Sequence, residues 1–215
     1  MLSSITVLAL GFILGMRHAT DPDHVVAVTT IVSQQDSIAR AARIGAWWGA
    51  GHTLTILLVG GTILIFRIVV PPRVGLAMEF AVAAMLVLLG VRTLSAVGAG
   101  RQADESTSAR PMIVGFVHGL AGSAFVAMVV LTAIESAAVG VAYLLVFGLG
   151  TIAGMTFVTA AVAVPSAYAA ARVTGARRYV QLAAGVASVC FGLFLAHQVG
   201  VVDGLFAATP HWTPR

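Results

Sequence analysis

The chain has 215 residues, of which 59% are hydrophobic and only 9% charged, with a mean hydropathy of +1.00. A soluble domain carries about 25% charged residues, so this composition excludes a water-solvated globule and makes lipid the main solvent. The net charge of +4 comes from 12 arginines against 8 acidic residues; the arginines lie between apolar runs, not in a basic patch interleaved with aromatics, and nucleic acid is excluded as a partner.

The first apolar stretch, about 4–32, opens without a basic leader region and runs into Arg17-His18-Ala19-Thr20-Asp21, which is no cleavage site. It reads as a retained membrane helix interrupted between His18 and His24. Five further apolar spans follow, at about 44–66, 76–97, 112–134, 139–164 and 180–202. Each has about the 20 residues that a helix needs to cross roughly 30 Å of hydrocarbon, and none alternates with the period of a barrel strand. The expected fold is an all-α, polytopic membrane bundle of about six transmembrane helices in a single domain.

Short connections join the spans; Arg67 to Arg73 carries Pro71-Pro72, and the longest loop, 99–111, is polar. The tail, 203–215, carries Trp212 and is expected at the membrane surface, where Trp is favoured. Arg40, Arg43, Arg101, Arg110, Arg172, Arg177 and Arg178 all fall on one side of a six-span topology, and Arg67, Arg73 and Arg215 on the other. The excess of positive charge on cytoplasmic loops then places both termini outside a plasma (inner) membrane. Cys190, the single cysteine, reads as a small buried hydrophobe.

A weak repeat crosses the chain. Gly15 and His18 match Gly115 and His118, Gly49 and Gly51 match Gly148 and Gly150, and Ala81 and Gly90 match Ala183 and Gly192, at offsets of 99 to 102. With three spans per copy, the second copy (about 112–202) enters the membrane inverted relative to the first (about 1–98). Inverted repeats typify transporters, whose site lies near the midplane between the copies.

The residues that carry chemistry start with His18-Ala19-Thr20-Asp21-Pro22-Asp23-His24, two imidazoles and two carboxylates inside an apolar span. Charges at membrane depth cost several kcal/mol, about 2.5–3.5 each on insertion scales, and by default mark function. Pro22 lacks an N–H and pushes Asp21 out of the α region, so the helix should kink or unwind there. Unwinding would bring His18, Asp21 and His24 round one point, and Arg17 stands close enough to pair with Asp21 or Asp23. Nitrogen with carboxylate oxygen suits nickel, cobalt, zinc or copper(II) better than magnesium or calcium. In the second span, Trp47-Trp48-Gly49-Ala50-Gly51-His52-Thr53 sets His52 among small residues that permit close helix approach; the tryptophans read as packing or interface anchors. In the fourth, His118-Gly119-Leu120-Ala121-Gly122-Ser123 offers His118 and Ser123 to a permeation path. Glu79 and Glu135 read as solvated at span ends.

Arg17 to Val25 resembles the signature Arg-His-Ala-x-Asp-Ala-Asp-His-Ile of the nickel/cobalt transporter family, with Pro22 in place of Ala, and Trp47 to Thr53 resembles that family's second motif. The segment His118 to Ser123 and the short chain look more like its compact, urease-accessory-type relatives. The resemblance implies that His18, Asp21, Asp23, His24 and His52 handle the metal, in a permease that hydrolyses no ATP and supplies nickel or cobalt to metalloenzymes. The expected function is then import of Ni²⁺ or Co²⁺ as substrate, with no resident cofactor. The partners are the ion and the bilayer, with room for a homo-oligomer or a metallochaperone. An enzyme is not expected: neither His-Glu-x-x-His nor a phosphate-binding Gly-x-x-x-x-Gly-Lys-Ser/Thr occurs. The same cluster also suits a proton relay in a proton-coupled permease, or an exporter of another small solute.

Overall fold

A computed structural model describes residues 4–35, 37–67, 70–99, 109–120, 136–172 and 175–212. These are α-helical throughout, without strands among the described residues: α1 (Ser4–His18), α2 (Pro22–Val32), α3 (Ile38–Phe66), α4 (Pro72–Gly98), α5 (Ala109–His118), α6 (Ala137–Arg172) and α7 (Ala176–His197). A π-helical turn, Gln198–Val202, extends α7. Three helices among the described residues are long and apolar enough to cross a membrane: Pro72–Gly98, Ala138–Ala169 and Ala176–Val202. Phe157, Leu149, Leu193 and Phe194 point outward from α6 and α7. Only a hydrocarbon solvent accepts such faces without cost, so this is a membrane protein in a lipid bilayer.

The interruption of the first span falls where Pro22 dictates. Asp21 is extended (φ −60°, ψ 144°) and Pro22 is the first residue of α2, where a missing N–H costs nothing. The carbonyl of His18, deprived of its partner four residues on, accepts instead from Asp21 N at 3.1 Å, and that of Arg17 from Thr20 N at 2.9 Å. α1 therefore closes in a tight turn rather than a frayed end. In the fourth apolar span, α5 also stops at a histidine, His118, followed by a turn at Gly119 and Leu120.

Small residues decide how the helices meet. α1 and α5 are held against α6 and α3 by glycines whose missing side chains admit a neighbouring backbone. A Cβ on Gly15 would collide with the carbonyl of Phe147, and one on Gly115 with that of Trp48. A Cβ on Gly51 would meet Met112 O, and one on Gly150 would meet Phe12 O. α3 and α6 cross antiparallel, with Gly49 on Ile152 and Gly148 on Thr53, where Thr53 Oγ1 also donates to Gly148 O at 3.1 Å. α4 and α7 form a second antiparallel pair through Gly90 on Val189 and Gly192 on Val87, closed by Ser188 Oγ donating to Leu86 O at 2.8 Å. The short α2 bridges the two groups: Thr30 Oγ1 donates to Ala184 O at 3.2 Å.

Two sequence expectations are corrected here, those for Glu79 and Cys190. Glu79 is buried, not solvated at a span end: Trp212 Nε1 donates to its Oε1 at 2.8 Å. The tail carrying Trp212 folds back over α4, its indole lying against Gly75 and Phe206 against Phe80, because a carboxylate at this depth needs a donor and glycine leaves room for one. Cys190 is exposed, on the outer face of α7; an apolar thiol is as well solvated by lipid as by a core.

Candidate metal centre

Four histidines meet where α1, α2, α3 and α5 converge, and all are buried: His18 at 5% exposure, His24, His52 and His118 at 0%. Ring centroids lie 4.6 Å apart for His18 and His24, 4.8 Å for His18 and His52, and 4.1 Å for His24 and His118. The break after His18 makes this packing possible. On one straight helix His24 would face away from His18; the turn at Ala19–Asp21 restarts the chain so that both rings point inward.

Two carboxylates orient three of the rings. Asp21 Oδ2 accepts from His18 Nδ1 at 2.9 Å, and Asp23 Oδ1 accepts from His24 Nδ1 at 2.9 Å and from the His24 backbone N–H. Asp23 Oδ2 accepts from His118 Nε2 at 3.0 Å. A neutral imidazole that donates through Nδ1 carries its lone pair on Nε2, so His18 and His24 keep Nε2 free to accept. His24 Nε2 is buried without a hydrogen-bond partner, and His18 Nε2 faces His52 Nε2 at 2.8 Å. Two facing ring nitrogens are satisfied by one shared proton or one shared cation. Carboxylates that hold the far nitrogen of a metal-binding histidine are the usual outer partners of such ligands.

His18, His24 and His52 each offer a ligand atom within 4.8 Å of the others. Metal–nitrogen bonds of about 2.0–2.1 Å allow ligand atoms up to about 4.2 Å apart, so small ring movements close this group on an ion. All-nitrogen ligation suits a late divalent transition metal and not magnesium or calcium.

The expected residues are divided by this geometry. His18, His24 and His52 face one point; Asp21 does not join them but stands behind His18, its side chain 36% exposed. Asp23 links His24 to His118. The expected pairing of Arg17 with either acid is not formed: both carboxylates are engaged by histidines, and Arg17, one residue before His18, is turned outward. Ser123 and Glu135 lie outside the described residues.

Two contacts escaped the sequence. Trp48 is fully buried and stacks on His24, with centroids 5.7 Å apart, while Trp47 is exposed. Phe147 packs on His18 at 5.8 Å. Each belongs to an apolar cluster closing one side of the histidines. Ile56, Tyr143, Leu144 and Phe147 lie at one end, and Trp48, Val28, Met155 and their neighbours at the other. A Gly-Ala-Gly-His run after a tryptophan pair was the available signal for Trp48; nothing in the sequence around Phe147 singled it out.

No protein-family model matches the chain, and no solved structure matches it. Among curated proteins it is similar to the urease accessory protein UreH of Bacillus sp. (strain TB-90), 33% identical over 221 residues, covering 94% of this chain and 95% of that protein. Identity at this level over nearly the whole of both chains leaves no room for a shared motif on unrelated folds, and the chain belongs to the UreH family of urease accessory proteins.

Proposed function

We propose that this protein is a permease, not an enzyme, that imports a divalent transition-metal ion, nickel or cobalt, across the inner membrane. The observation that carries the reading is the inward-facing group of His18, His24 and His52, with Asp21 and Asp23 holding two of the rings from behind. A buried polar atom left unpaired costs about 1–3 kcal/mol, and His24 Nε2, His52 Nδ1 and His118 Nδ1 are all such atoms. Their rings lie 4.1 to 6.1 Å apart between centroids, and a ligand bound among them would relieve that cost. The relative's name ties that protein to urease, and delivery of metal for a metalloenzyme is the role we assign.

The architecture we assign is six spans in a 3+3 inverted repeat, with α1 and α2 together making the first span and both termini outside. Support comes from contacts that recur after exchange of the halves. Gly15 on Phe147 pairs with Gly115 on Trp48, Gly51 on Met112 with Gly150 on Phe12, and Gly90 on Val189 with Gly192 on Val87. The apolar clusters on either side of the histidines act as two gates, opened in turn as the halves rock.

Uptake of labelled nickel and cobalt into cells expressing the chain tests this, against His18→Ala and His52→Ala variants shown to reach the membrane. The parent raises accumulation and each variant returns it to that of empty cells. Accumulation below that of empty cells, dependent on the same histidines, reverses the direction to export. Metal content indifferent to parent and variants alike removes the metal reading.

A further inference from the structure

His118 belongs to no motif of the nickel/cobalt signature, yet it is fully buried, with one ring nitrogen on Asp23 and the other unpartnered. Asp23, His24 and His118 form a second group whose ligand atoms lie within 4.8 Å of one another. We propose that this group is a second station for the metal ion, to which the ion passes from His18, His24 and His52 on its way through the protein. The proposal rests on the metal-permease reading above.

Three features carry it. His24 is common to both groups, with Nε2 unpartnered and Nδ1 on Asp23 of the second, so one imidazole links the two stations. The stations also differ in what closes them. His18, found only at the first, packs on Phe147 of one apolar cluster. His118, found only at the second, lies 5.5 Å from Trp48 of the other, which also stacks on the shared His24. Lastly, the first station is drawn from α1, α2 and α3 alone, whereas the second needs α5 from the other half of the chain. A movement between the halves leaves the first station intact and makes or breaks the second. His118 is set in place by glycines on either side: Gly115 is jammed against Trp48 and Gly119 against His52 O and Thr55.

Ligand chemistry also makes the stations unequal. The first offers three imidazole nitrogens; the second exchanges one for a carboxylate oxygen and is the weaker for a late transition metal. A weaker second station suits release. At equilibrium the ion sits at the first station, and loss of the second costs passage more than binding.

The test is nickel binding to the purified, detergent-solubilised protein, beside nickel uptake into cells, for the parent, His118→Ala and His118→Gln. Gln reaches Asp23 with an amide N–H and keeps that hydrogen bond, but is a poor metal ligand. We expect both variants to keep the nickel binding that His18→Ala loses, and to lose uptake by about tenfold or more, the scale on which groups around metal sites act. Full uptake in His118→Gln overturns the station and leaves His118 a residue that merely positions Asp23. A loss of affinity in both variants equal to that in His18→Ala also overturns it, because His118 is then a fourth ligand of one site. Should His118→Ala fail to fold, His118→Gln decides alone. A parent that binds and transports nickel with indifferent variants removes this proposal only; a parent that binds none removes the metal reading and this with it.

Discussion

The molecule contains two regions packed by the same device to different ends. Around the histidines, α1, α3, α5 and α6 approach through glycines that admit a facing backbone carbonyl. In the α4–α7 pair, Gly90, Gly185 and Gly192 do the same. The first region, however, buries four histidines together and encloses them between two apolar clusters, whereas the second is closed across its seam by Ser188 Oγ on Leu86 O and, among its described residues, carries a single buried carboxylate, Glu79, held by Trp212 at one end. In lipid, where apolar side chains gain nothing from meeting one another, close packing of small residues is what assembles either pair. The difference shows that glycine spacing reports assembly and not function. Function is marked where polar side chains are buried beside that spacing.

The comparison breaks most readily at Gly115. A Cβ there would strike the carbonyl and the indole of Trp48, and a backbone carbonyl cannot turn aside as a flexible side chain can. Gly115→Ala should lose about 3 kcal/mol of stability, the upper end for overpacking, read as a lowered Tm in detergent and less folded protein in the membrane. Gly90→Ala tests the other region. Its Cβ would lie 2.6 Å from Gly185 O and 2.7 Å from Val189 Cγ2, and the latter can rotate. The expected loss is about 2 kcal/mol, with metal affinity of the folded fraction unchanged. A shift in affinity at Gly90→Ala would mean that the α4–α7 pair takes part in the site, and the division between the regions would fail.

The sequence displays much of this because the membrane simplifies the reading. Helical class and the approximate limits of α3, α4, α6 and α7 follow from apolar length alone, and the Pro22 break from the loss of one N–H. His18, His24 and His52 stand out because charge and imidazole are rare at such depth. What stays hidden are contacts whose partners are distant in the chain. Asp23 reaching His118, and Trp212 reaching Glu79, join residues 95 and 133 positions apart. No local pattern encodes those distances, and Glu79 at the edge of an apolar span looks the same whether water or an indole satisfies it. The separate roles of Asp21 and Asp23 are hidden for a related reason: an extended residue between two helices sends adjacent carboxylates to different rings.

Asp21 gives the smallest effect and the sharpest distinction between holding a ligand and being one. It contacts His18 through the nitrogen that faces away from the histidine group, at the exposed rim of the break. Asp21→Asn keeps an oxygen that accepts the His18 Nδ1–H, so the ring stays oriented; what disappears is the negative charge behind the ring, which favours a cation on its opposite nitrogen. Loss of such an outer partner lowers affinity about 10–100-fold, and with the hydrogen bond retained the expected drop is the lower figure, about tenfold or 1.4 kcal/mol. Asp21→Ala, which removes the hydrogen bond as well and frees the ring, should fall further towards the His18→Ala variant. Equal and complete loss of binding in Asn and Ala alike would make Asp21 a ligand itself, and the break between α1 and α2 would then close on the ion when it binds.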